Sequence, residues 1–321
     1  SGHFAYNPSR INVGSLAFNN SSKIGAVSPM YVVFSIKEES KLSTDYLFSL
    51  LKSEKLNEYI LQLAQGAVRQ QLRFNDLRII KIPLPPIETQ KQIVAELDGY
   101  QKIINGAKQI SENWKPKIDI NSQWEKVKLG EVIDILTDYT ANGSFASLAK
   151  NAKYKKEKDY AVVVRLTDLR KSMISDEMNY VSEDSYKFLK KSSLFGGEYL
   201  IANVGANIGD SYIMPIINIP ATLGPNMYLV KFNKKILTEY VQIITEQFIK
   251  PRVLELGVSA AQPKINKDQF RSIEIPLPSL ETQKQIIEEV EKEKELVESS
   301  KKLIEIYEQK TKEVISKLWE E

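Results

Sequence analysis

The chain has 321 residues, a net charge of +3 and a hydrophobic fraction of 42%. This length predicts about two domains, and the hydrophobic fraction is enough to form ordinary cores. The sequence contains no cysteine, which excludes disulfides and cysteine-ligated metals, and His3 is its single histidine. A histidine zinc site or a Ser-His-Asp triad is therefore not expected. No apolar run has the length of a membrane span and nothing at the start resembles a signal peptide, which favours the cytoplasm.

Charge is distributed unevenly along the chain. From Glu281 to the end there are eight lysines and twelve acidic residues, so the preceding residues carry a net charge of +7. Basic globular domains joined to an acidic helix favour polyanion binding by the domains and protein contact by the helix.

Helical patterns occupy the first third of the chain. The first spans 43–63 and is followed by the segment IPLPPIETQKQI at 82–93. Apolar residues then recur at alternating three- and four-residue steps, which predicts a long helix that ends at Trp114 and Pro116. Its seam is Ile93, Leu97, Tyr100 and Ile104. Glu88 lies where it favours the positive end of this helix.

Residues 122–280 have the pattern of a complete mixed domain. Short apolar runs at 160–166 and 213–219 alternate with turn residues, as strands do. Helical stretches are predicted at 184–191 and 238–256.

Residues 281–319 predict one long helix, with Lys, Glu and Gln on its exposed faces. Its seam comprises Ile286, Val290, Val297, Ile304, Tyr307, Val314 and Leu318. At 1.5 Å per residue the helix is roughly 58 Å long, too long for one small domain to cover its apolar stripe. We expect it to pair with the helix after residue 87 in a two-stranded coiled coil.

The chain repeats itself with an offset of 193 residues. IPLPPIETQKQI at 82–93 returns as IPLPSLETQKQI at 275–286. Upstream, 11–14 is similar to 202–205, and this alignment leaves 124–191 without a counterpart. We therefore expect an incomplete first domain. Two similar domains suit a target that has two parts.

Catalytic patterns are scarce. The Gly205–Gly209 segment superficially resembles a phosphate loop, but it lacks the Lys-Ser/Thr of a P-loop and the strand-turn-helix context of a dinucleotide fold. A tight turn is the favoured interpretation. No acidic spacing indicates a metal cluster, and we expect no catalysis by the chain alone.

Amide and basic side chains concentrate in a few loops and are candidates for DNA contact. Arginine bonds bidentately to guanine and glutamine to adenine in the major groove, while lysines line phosphates. The candidates are Asn7, Arg10, Asn12, Arg69, Gln70, Gln71, Lys153, Tyr154, Lys155, Arg165, Asn203, Asn207, Gln262 and Lys264. For the lysine-rich loop a solvated surface, and for each single turn residue a structural role, remain open interpretations.

Three patterns together resemble a known family. They are Trp124-x-x-Val127-x-Leu129-Gly130-Glu131-Val132, then Gly257 to Pro263 as Gly-x-x-x-x-Gln-Pro, then the repeated IPLP block. The combination resembles the DNA specificity subunit of type I restriction–modification systems.

The resemblance implies an α+β fold with two target recognition domains, the first partial, separated by two long helices in an antiparallel coiled coil. The implied boundaries are 1–86 for the partial domain, 87–121 for the first spacer helix and linker, 122–280 for the second domain and 281–321 for the second spacer helix. Such subunits are not enzymes. The partners implied are double-stranded DNA, two modification (methyltransferase) subunits that carry S-adenosylmethionine and methylate adenine N6, and a restriction subunit. The chain itself is expected to bind no cofactor.

Three alternatives remain open. Residues 6–14 also resemble the recognition region behind a fused adenine methyltransferase. A homodimer would complete the partial domain. Outside DNA binding, the acidic helix suits a coiled-coil protein scaffold.

Overall fold

The fold is described from a computed structural model that covers residues 2–11, 14–21, 23–63, 71–173, 177–257 and 262–319. The chain divides into two compact units. Unit one comprises Ser1–Trp114 and Glu295–Glu321, and unit two comprises Lys115–Lys294. The mixture of helices and strands confirms the predicted α+β class.

Unit one contains a small antiparallel sheet, in the order β2-β1-β3, and a group of helices. Its elements are β1 (His3–Tyr6), β2 (Leu16–Asn19), β3 (Val32–Ser35), α1 (Thr44–Leu51), α2 (Glu54–Leu63), α3 (Phe74–Arg78) and α4 (Ile87–Asn113). Its core forms where Phe4 and Tyr6 of β1 pack with Leu47, Leu56 and Ile60 of the helices. The helical pattern predicted at 43–63 is thus two helices, interrupted at Lys52 and Ser53.

Unit two contains two four-stranded sheets, in the orders β10-β9-β12-β5 and β7-β6-β11-β8, and the two-stranded β13-β4. Its strands are β4 (Glu125–Lys128), β5 (Ile133–Asp138), β6 (Ala161–Val164), β7 (Asn179–Val181), β8 (Ser193–Leu194), β9 (Tyr199–Ala202), β10 (Ser211–Ile213), β11 (Ala221–Leu223), β12 (Met227–Phe232) and β13 (Glu274–Leu277). Its helices are α5 (Leu129–Val132), α6 (Phe145–Asn151), α7 (Leu166–Arg170), α8 (Glu183–Phe188), α9 (Thr238–Ile244), α10 (Lys250–Leu256) and α11 (Lys267–Arg271). The core packs residues of both larger sheets together, among them Val162, Leu200, Leu223 and Leu229.

The last helix, α12 (Leu280–Lys317), runs from unit two into unit one. It begins one residue before the predicted start, and Glu281 lies in its first turn as Glu88 does in α4. Within unit one it packs against α4. Ile93 and Leu97 share a cluster with Val314 and Leu318.

The direction of the helix pair follows from a second contact farther along α4. The Tyr100 and Tyr307 rings lie 5.2 Å apart. From the first contact to the second, the residue number rises in α4, from Leu97 to Tyr100, and falls in α12, from Val314 to Tyr307. The pair is therefore antiparallel. Of the other predicted seam residues, Ile104 and Val297 in unit one and Val290 in unit two are buried, while Ile286 and Ile304 are half-buried.

The repeat is structural as well as sequential. Sheet order β2-β1-β3 in unit one matches β10-β9-β12 in unit two, with the same antiparallel pairings. Tyr6 pairs with Val32 and Ala202 with Met227, so Tyr6 corresponds to Ala202 and Asn7 to Asn203. The sequence alignment of 11–14 with 202–205 is therefore wrong, because a loop of different length follows each strand. Farther along, α3 corresponds to α11 with the 193-residue offset of the IPLP block.

Prolines explain two differences from the predicted elements. The run 213–219 is a strand only at Ile213, where β10 ends. Pro215 has no N–H to donate to a neighbouring strand. The helix predicted at 238–256 is continuous but includes a π-helical turn at Thr245–Ile249. Pro251 follows that turn and cannot make the ordinary i→i−4 hydrogen bond, which favours the wider turn. Among the helices that the structure describes, none combines the length and apolar character needed to cross a bilayer.

Candidate nucleic-acid interface

In unit two, two sequence-predicted clusters form one surface. The loop after β9 and the segment before α11 are joined by a bridge between Val204 and Lys264. The backbone N–H of Gly205 donates to Pro263 O at 2.8 Å, and that of Ile265 to Asn203 O at 3.1 Å. This surface, called here the 203/264 surface, carries four predicted DNA-contact residues. They are Asn203, Asn207, Gln262 and Lys264.

Glycines allow the two segments to approach each other closely. A Cβ on Gly257 would lie 2.7 Å from Val253 O and 2.9 Å from Ile208 Cδ1, so no other residue fits without movement. Gly205 has a φ of +96°, and a Cβ there would lie 3.6 Å from Gln262 Nε2. The segment from Gly205 to Gly209 is a tight turn, as predicted, in which Ile208 N donates to Gly205 O at 3.0 Å.

Asn203 and Asn207 differ in exposure. Asn207 and Lys264 are exposed, and so is Gln262. Asn203 is 7% exposed, and its Oδ1 has no hydrogen-bond partner. A buried acceptor of this kind is energetically costly unless a donor reaches it. The Asn203 side chain also forms a hydrogen bond with the hydroxyl of Tyr228. Burial of this hydroxyl has a larger effect on its pKa than that hydrogen bond, and it raises the pKa.

An ion-pair network of Asp210, Glu246, Lys250 and Arg170 borders the 203/264 surface. Asp210, at the end of the loop, pairs with Lys250 of α10 at 3.0 Å and with Arg170 of α7. Burial opposes ionisation of Asp210, but hydrogen bonds from Arg170 and Lys250 outweigh it and keep the pKa of that carboxyl below its ordinary value. Partial burial opposes protonation of Lys250, but its hydrogen bonds with Glu246 and Asp210 outweigh burial and raise the pKa of its ammonium group.

Lys250 did not emerge as a candidate from the sequence, because it lies in a helix and far from the basic loop. Helical position alone gives no signal for it. Its ion pairs with Asp210 and Glu246 become visible only in the structure.

The Arg165 side chain has a mainly structural role, since hydrogen bonds within unit two hold it in place. It precedes α7, and its guanidinium bonds Asp168 through two nitrogens at 2.9 and 2.7 Å. Asp168 is buried, and this hydrogen bonding raises the pKa of Arg165. Arg165 Nη2, one of those two nitrogens, also donates to Glu177 O at 2.8 Å, the oxygen that Lys156 Nζ approaches at 3.4 Å. Arg165 thus connects the lysine-rich loop to α7, the helix that carries Arg170.

The lysine-rich loop contains the other three candidates of unit two. Lys153 is exposed. Lys155 pairs its backbone with Tyr180 and its ammonium with Asp159. The Tyr154 ring packs edge-on against Tyr139 at 6.4 Å and is 40% exposed. Its hydroxyl pKa is raised by burial and by the hydrogen bond with Tyr139.

Unit one repeats the arrangement of the 203/264 surface. The loop after β1 meets the segment before α3, where Leu72 N donates to Pro8 O at 3.0 Å. Asn7, like Asn203, is buried, and its Oδ1 accepts from Ser9 N at 3.0 Å. Arg10 and Gln71 are exposed beside it. The remaining candidates Asn12, Arg69 and Gln70 lie outside the described residues.

Both loop surfaces present amide and cationic side chains. Amide and guanidinium groups can read base edges, and ammonium groups can neutralise phosphates. Within the described ranges, no three His, Cys, Asp or Glu side chains are placed so that they could hold a metal ion. The chemistry available is recognition of a polyanion with hydrogen-bonding edges.

Comparison with known proteins gives consistent results. A family model described as the type I restriction modification DNA specificity domain matches residues 5–113 and 121–308. A Methanocaldococcus jannaschii protein, described as the MjaX type I restriction enzyme specificity subunit, is 26% identical over 312 residues, covering 88% of this chain and 69% of that relative.

Two solved structures share the fold. The crystal structure of the HsdS subunit from Thermoanaerobacter tengcongensis aligns with a TM-score of 0.52 at 18% identity, over 99% of this chain and 80% of that one. A chain from a structural study of complex assembly and conformational transition of the type I R-M system aligns with a TM-score of 0.58 at 17% identity, over 99% and 81%.

Proposed function

Because this chain belongs to the type I restriction–modification DNA specificity family, we propose that it reads a DNA target in two parts, one for each unit. The duplicated loop surface carries this proposal. In both units the loop after a central strand is hydrogen-bonded to the segment that precedes a short helix. In both, amide and basic side chains lie at that junction.

The roles of individual side chains follow from their chemistry and exposure. In this proposal Gln262 and Gln71 read base edges, and Lys264 and Arg10 contact phosphates or guanine. Asn203 starts the loop that bears Asn207, and its backbone carbonyl, which accepts from Ile265 N at 3.1 Å, holds that loop against the segment before α11.

The paired helices α4 and α12 serve as the spacer, which fixes the number of base pairs between the two half-sites. Their exposed faces, on which apolar side chains such as Ile110, Leu296 and Ile306 are at least half exposed, provide surfaces on which modification and restriction subunits dock. A subunit with two similar units accommodates two modification subunits.

Methyl transfer belongs to those partners. S-adenosylmethionine is bound by the modification subunits, which flip the target adenine and methylate its N6. This chain contributes target choice and positioning, and it carries no cofactor.

Two experiments test the proposal. Sequencing of methylated sites in the source genome should give a two-part motif with a fixed gap. With modification subunits present, the chain should bind a duplex carrying both halves at least about 10³-fold more tightly than one with both scrambled. Scrambling one half alone should have an intermediate effect. Methylation at one continuous block, or equal affinity for cognate and scrambled duplexes, would contradict the proposal.

The scaffold alternative makes a different prediction. If the loops bind only proteins, Gln262→Ala and Lys264→Ala will leave DNA affinity unchanged and weaken partner capture. The fused-methyltransferase alternative concerns what covalently precedes the chain, and the same DNA-binding surfaces are expected in that case.

A further inference from the structure

The chain enters unit two through residues 115–121, which form neither helix nor strand and are called here the entry segment. α4 ends at Asn113, two residues before this segment begins. A single glutamine holds the segment at its centre. Ile118 N donates to Gln247 Oε1 at 3.2 Å, and Gln247 Nε2 donates to Ile118 O at 3.1 Å. One amide thus satisfies both backbone groups of Ile118.

The contact with Gln247 is the hydrogen-bonded attachment of the entry segment. Within the part of the chain that the structure describes, the other hydrogen bonds of this segment are local, from Gln123 N and Trp124 N to Asn121. The Ile118 side chain is 6% exposed, so it anchors the segment at the same point. The hydrogen bonds that join the entry segment to the rest of unit two are therefore the two to Gln247.

Gln247 is itself presented from an anchored part of unit two. It lies in the π-helical turn Thr245–Ile249, and both end residues of that turn are 0% exposed. The hydroxyls of Tyr199 in β9 and Thr245 are hydrogen-bonded at 2.7 Å, which fastens the turn to the sheet. Single π-helical turns inside α-helices occur frequently at functional sites. The position of the Gln247 amide is thus determined by buried neighbours.

Unit one has no such contact at the equivalent position. Tyr46 and Tyr240 bond equivalent carbonyls of the IPLP block. The same spacing makes Ser53 the counterpart of Gln247. Ser53 bonds within its own helices, where its hydroxyl donates to Leu50 O at 2.6 Å. The repeated fold therefore forms without a glutamine here, and the contact with the entry segment is an addition particular to unit two.

A change in the gap between two half-sites requires movement of the unit that reads one of them. B-DNA makes one turn in about 10–10.5 base pairs over about 34–36 Å, so one base pair corresponds to a shift of about 3.4 Å and a rotation of about 35°. Unit two can follow such a change only if its connection to α4 yields. Two hydrogen bonds and a buried isoleucine at the centre of the entry segment resist that movement. Without them the connection bends, while α12, the other connection, is unchanged.

We propose that Gln247 is a positioning residue for the gap: by fixing the entry segment, it restricts binding to one gap length. This inference rests on the two-part target proposed above. It assigns part of the gap choice to a side chain that is engaged with the protein backbone and not with bases.

The test uses the full chain with modification subunits, and duplexes that carry both half-sites at the methylated gap or with one base pair more or fewer. Wild type should bind the altered gaps about tenfold or more weakly, because the duplex must bend or twist to fit. Gln247→Met keeps the side-chain length but cannot bond Ile118, and it should reduce this ratio to about threefold or less. Hydrogen exchange should become faster at 115–121 and stay unchanged in the rest of unit two.

Gln242→Met is the matched control, since Gln242 lies five residues earlier on the same helix and bonds Ser211 instead. It should keep the wild-type gap ratio regardless of any change in overall affinity. An equal loss of gap preference in this control would identify general destabilisation as the cause and overturn the proposal. If Gln247→Met fails to fold, Gln247→Ser takes its place, because serine is the residue at the equivalent position of unit one.

Two further outcomes separate this inference from the proposed function. An unchanged gap ratio in the Gln247 variant, or rapid exchange at Ile118 in wild type, would overturn the role of Gln247 and leave the two-part target intact. Equal binding of wild type to all three gaps would contradict the proposed function itself, and this inference with it.

Discussion

The side-chain oxygen of Gln90 accepts a hydrogen bond from the backbone N–H of Ser43 at 2.8 Å. The Gln90 amide nitrogen donates to the carbonyls of Lys41 and Pro85, both at 2.8 Å. Unit two repeats this arrangement with Gln283, which accepts from Leu237 N at 2.8 Å and donates to Lys235 O and Pro278 O. Both glutamines are 0% exposed. We call this arrangement the glutamine latch, since it fastens a long helix to the strand–helix connection of its own unit.

A tyrosine accompanies each latch. Tyr46 donates to Pro83 O at 3.2 Å, and Tyr240 donates to Pro276 O at 3.0 Å. Burial raises the pKa of the Tyr46 hydroxyl to about 12. The Ile-Pro-Leu-Pro backbone is thereby held at the start of each helix.

Loss of a latch should destabilise its own unit. Gln90→Ala leaves three backbone groups without their partner, and we expect a cost of about 2–4 kcal/mol. Gln92→Ala is the matched control, because Gln92 is exposed on the same helix. Hydrogen exchange under native conditions, measured separately for each unit, reports the loss.

The second copy gives an independent test of the same prediction. Gln283→Ala should accelerate exchange in unit two and Gln90→Ala in unit one, while Gln285→Ala has little effect. If substitutions of the buried and the exposed glutamines changed hydrogen exchange equally, the glutamine latch would not be what stabilises each unit.

The aromatic contact between α4 and α12 should be measurable by a double-mutant cycle. Tyr100→Ala and Tyr307→Ala each remove one ring of a pair 5.2 Å apart. We expect a coupling free energy of about 0.5–1.5 kcal/mol in urea unfolding. Tyr100→Ala combined with Lys301→Ala, an exposed residue of α12, should be additive. Additivity of the two tyrosine substitutions would mean that the rings do not stabilise the helix pair.

Gly257→Ala should disturb the 203/264 surface. A Cβ at this position would meet Val253 O at 2.7 Å and Ile208 Cδ1 at 2.9 Å, so the loop must shift. Overpacking of this kind costs about 1–3 kcal/mol. We expect weaker DNA binding, measured by anisotropy with modification subunits present.

Gly99→Ala is the contrasting variant. No atom lies within 4 Å of a Cβ at Gly99, which is inside α4. Alanine is favoured over glycine in a helix interior by about 0.5–1 kcal/mol, so thermal unfolding should show stabilisation. Weaker DNA binding by Gly99→Ala, to the extent seen with Gly257→Ala, would show that the loss is not specific to the loop contact.

Lys264 and Gln262 should affect DNA binding differently. Lys264→Ala should weaken binding to all sequences and lower the salt slope by about 1, as loss of one phosphate contact does. Gln262→Ala should instead cost about 1–3 kcal/mol on the cognate half-site alone. Lys292→Ala, an exposed lysine of α12, serves as the charge control. An identical salt slope in all three variants would exclude Lys264 from the phosphate contacts.

The stability of unit two should depend on pH because of Asp210. Its pKa in the folded chain is below the ordinary value, so the unfolded chain binds its proton more readily. Ionised Asp210 therefore stabilises the folded chain fully above its ordinary pKa. This stabilisation is lost as pH falls through the lower pKa of the folded chain. Asp210→Asn should therefore be less stable than wild type at neutral pH, with a difference that narrows below about pH 4. Asp134→Asn, an exposed carboxylate of β5, controls for the change in net charge, and a constant difference across pH would contradict the assignment.

Periodicity and repetition predicted the large elements well. The two long helices and their seam of apolar residues followed from spacing alone, because amphipathic helices of this length have a strong periodic signal. The α+β class was implied by the family resemblance. The burial of the Gln283 side chain was not predicted, because a glutamine on such a helix is ordinarily exposed. Its burial depends on hydrogen bonds with Lys235 and Leu237, 48 and 46 residues earlier in the chain, and with the nearby Pro278.

The candidate site was predicted in part. Asn203, Asn207, Gln262 and Lys264 were singled out separately, and only the fold brings them onto one surface. Arg165 was selected as a DNA contact, and the structure places its guanidinium on Asp168. Its DNA role stays a prediction. Local charge density does not reveal which arginine is already occupied by a buried carboxylate.

The glutamine latch has a consequence for exchange of parts between the two halves. The twelve residues of the IPLP block supply the latch glutamine and both proline carbonyls in each unit. A chimera joined within this block would keep those groups in register whichever half precedes the junction. A crossover there would exchange one unit for another while the glutamine keeps the same backbone partners.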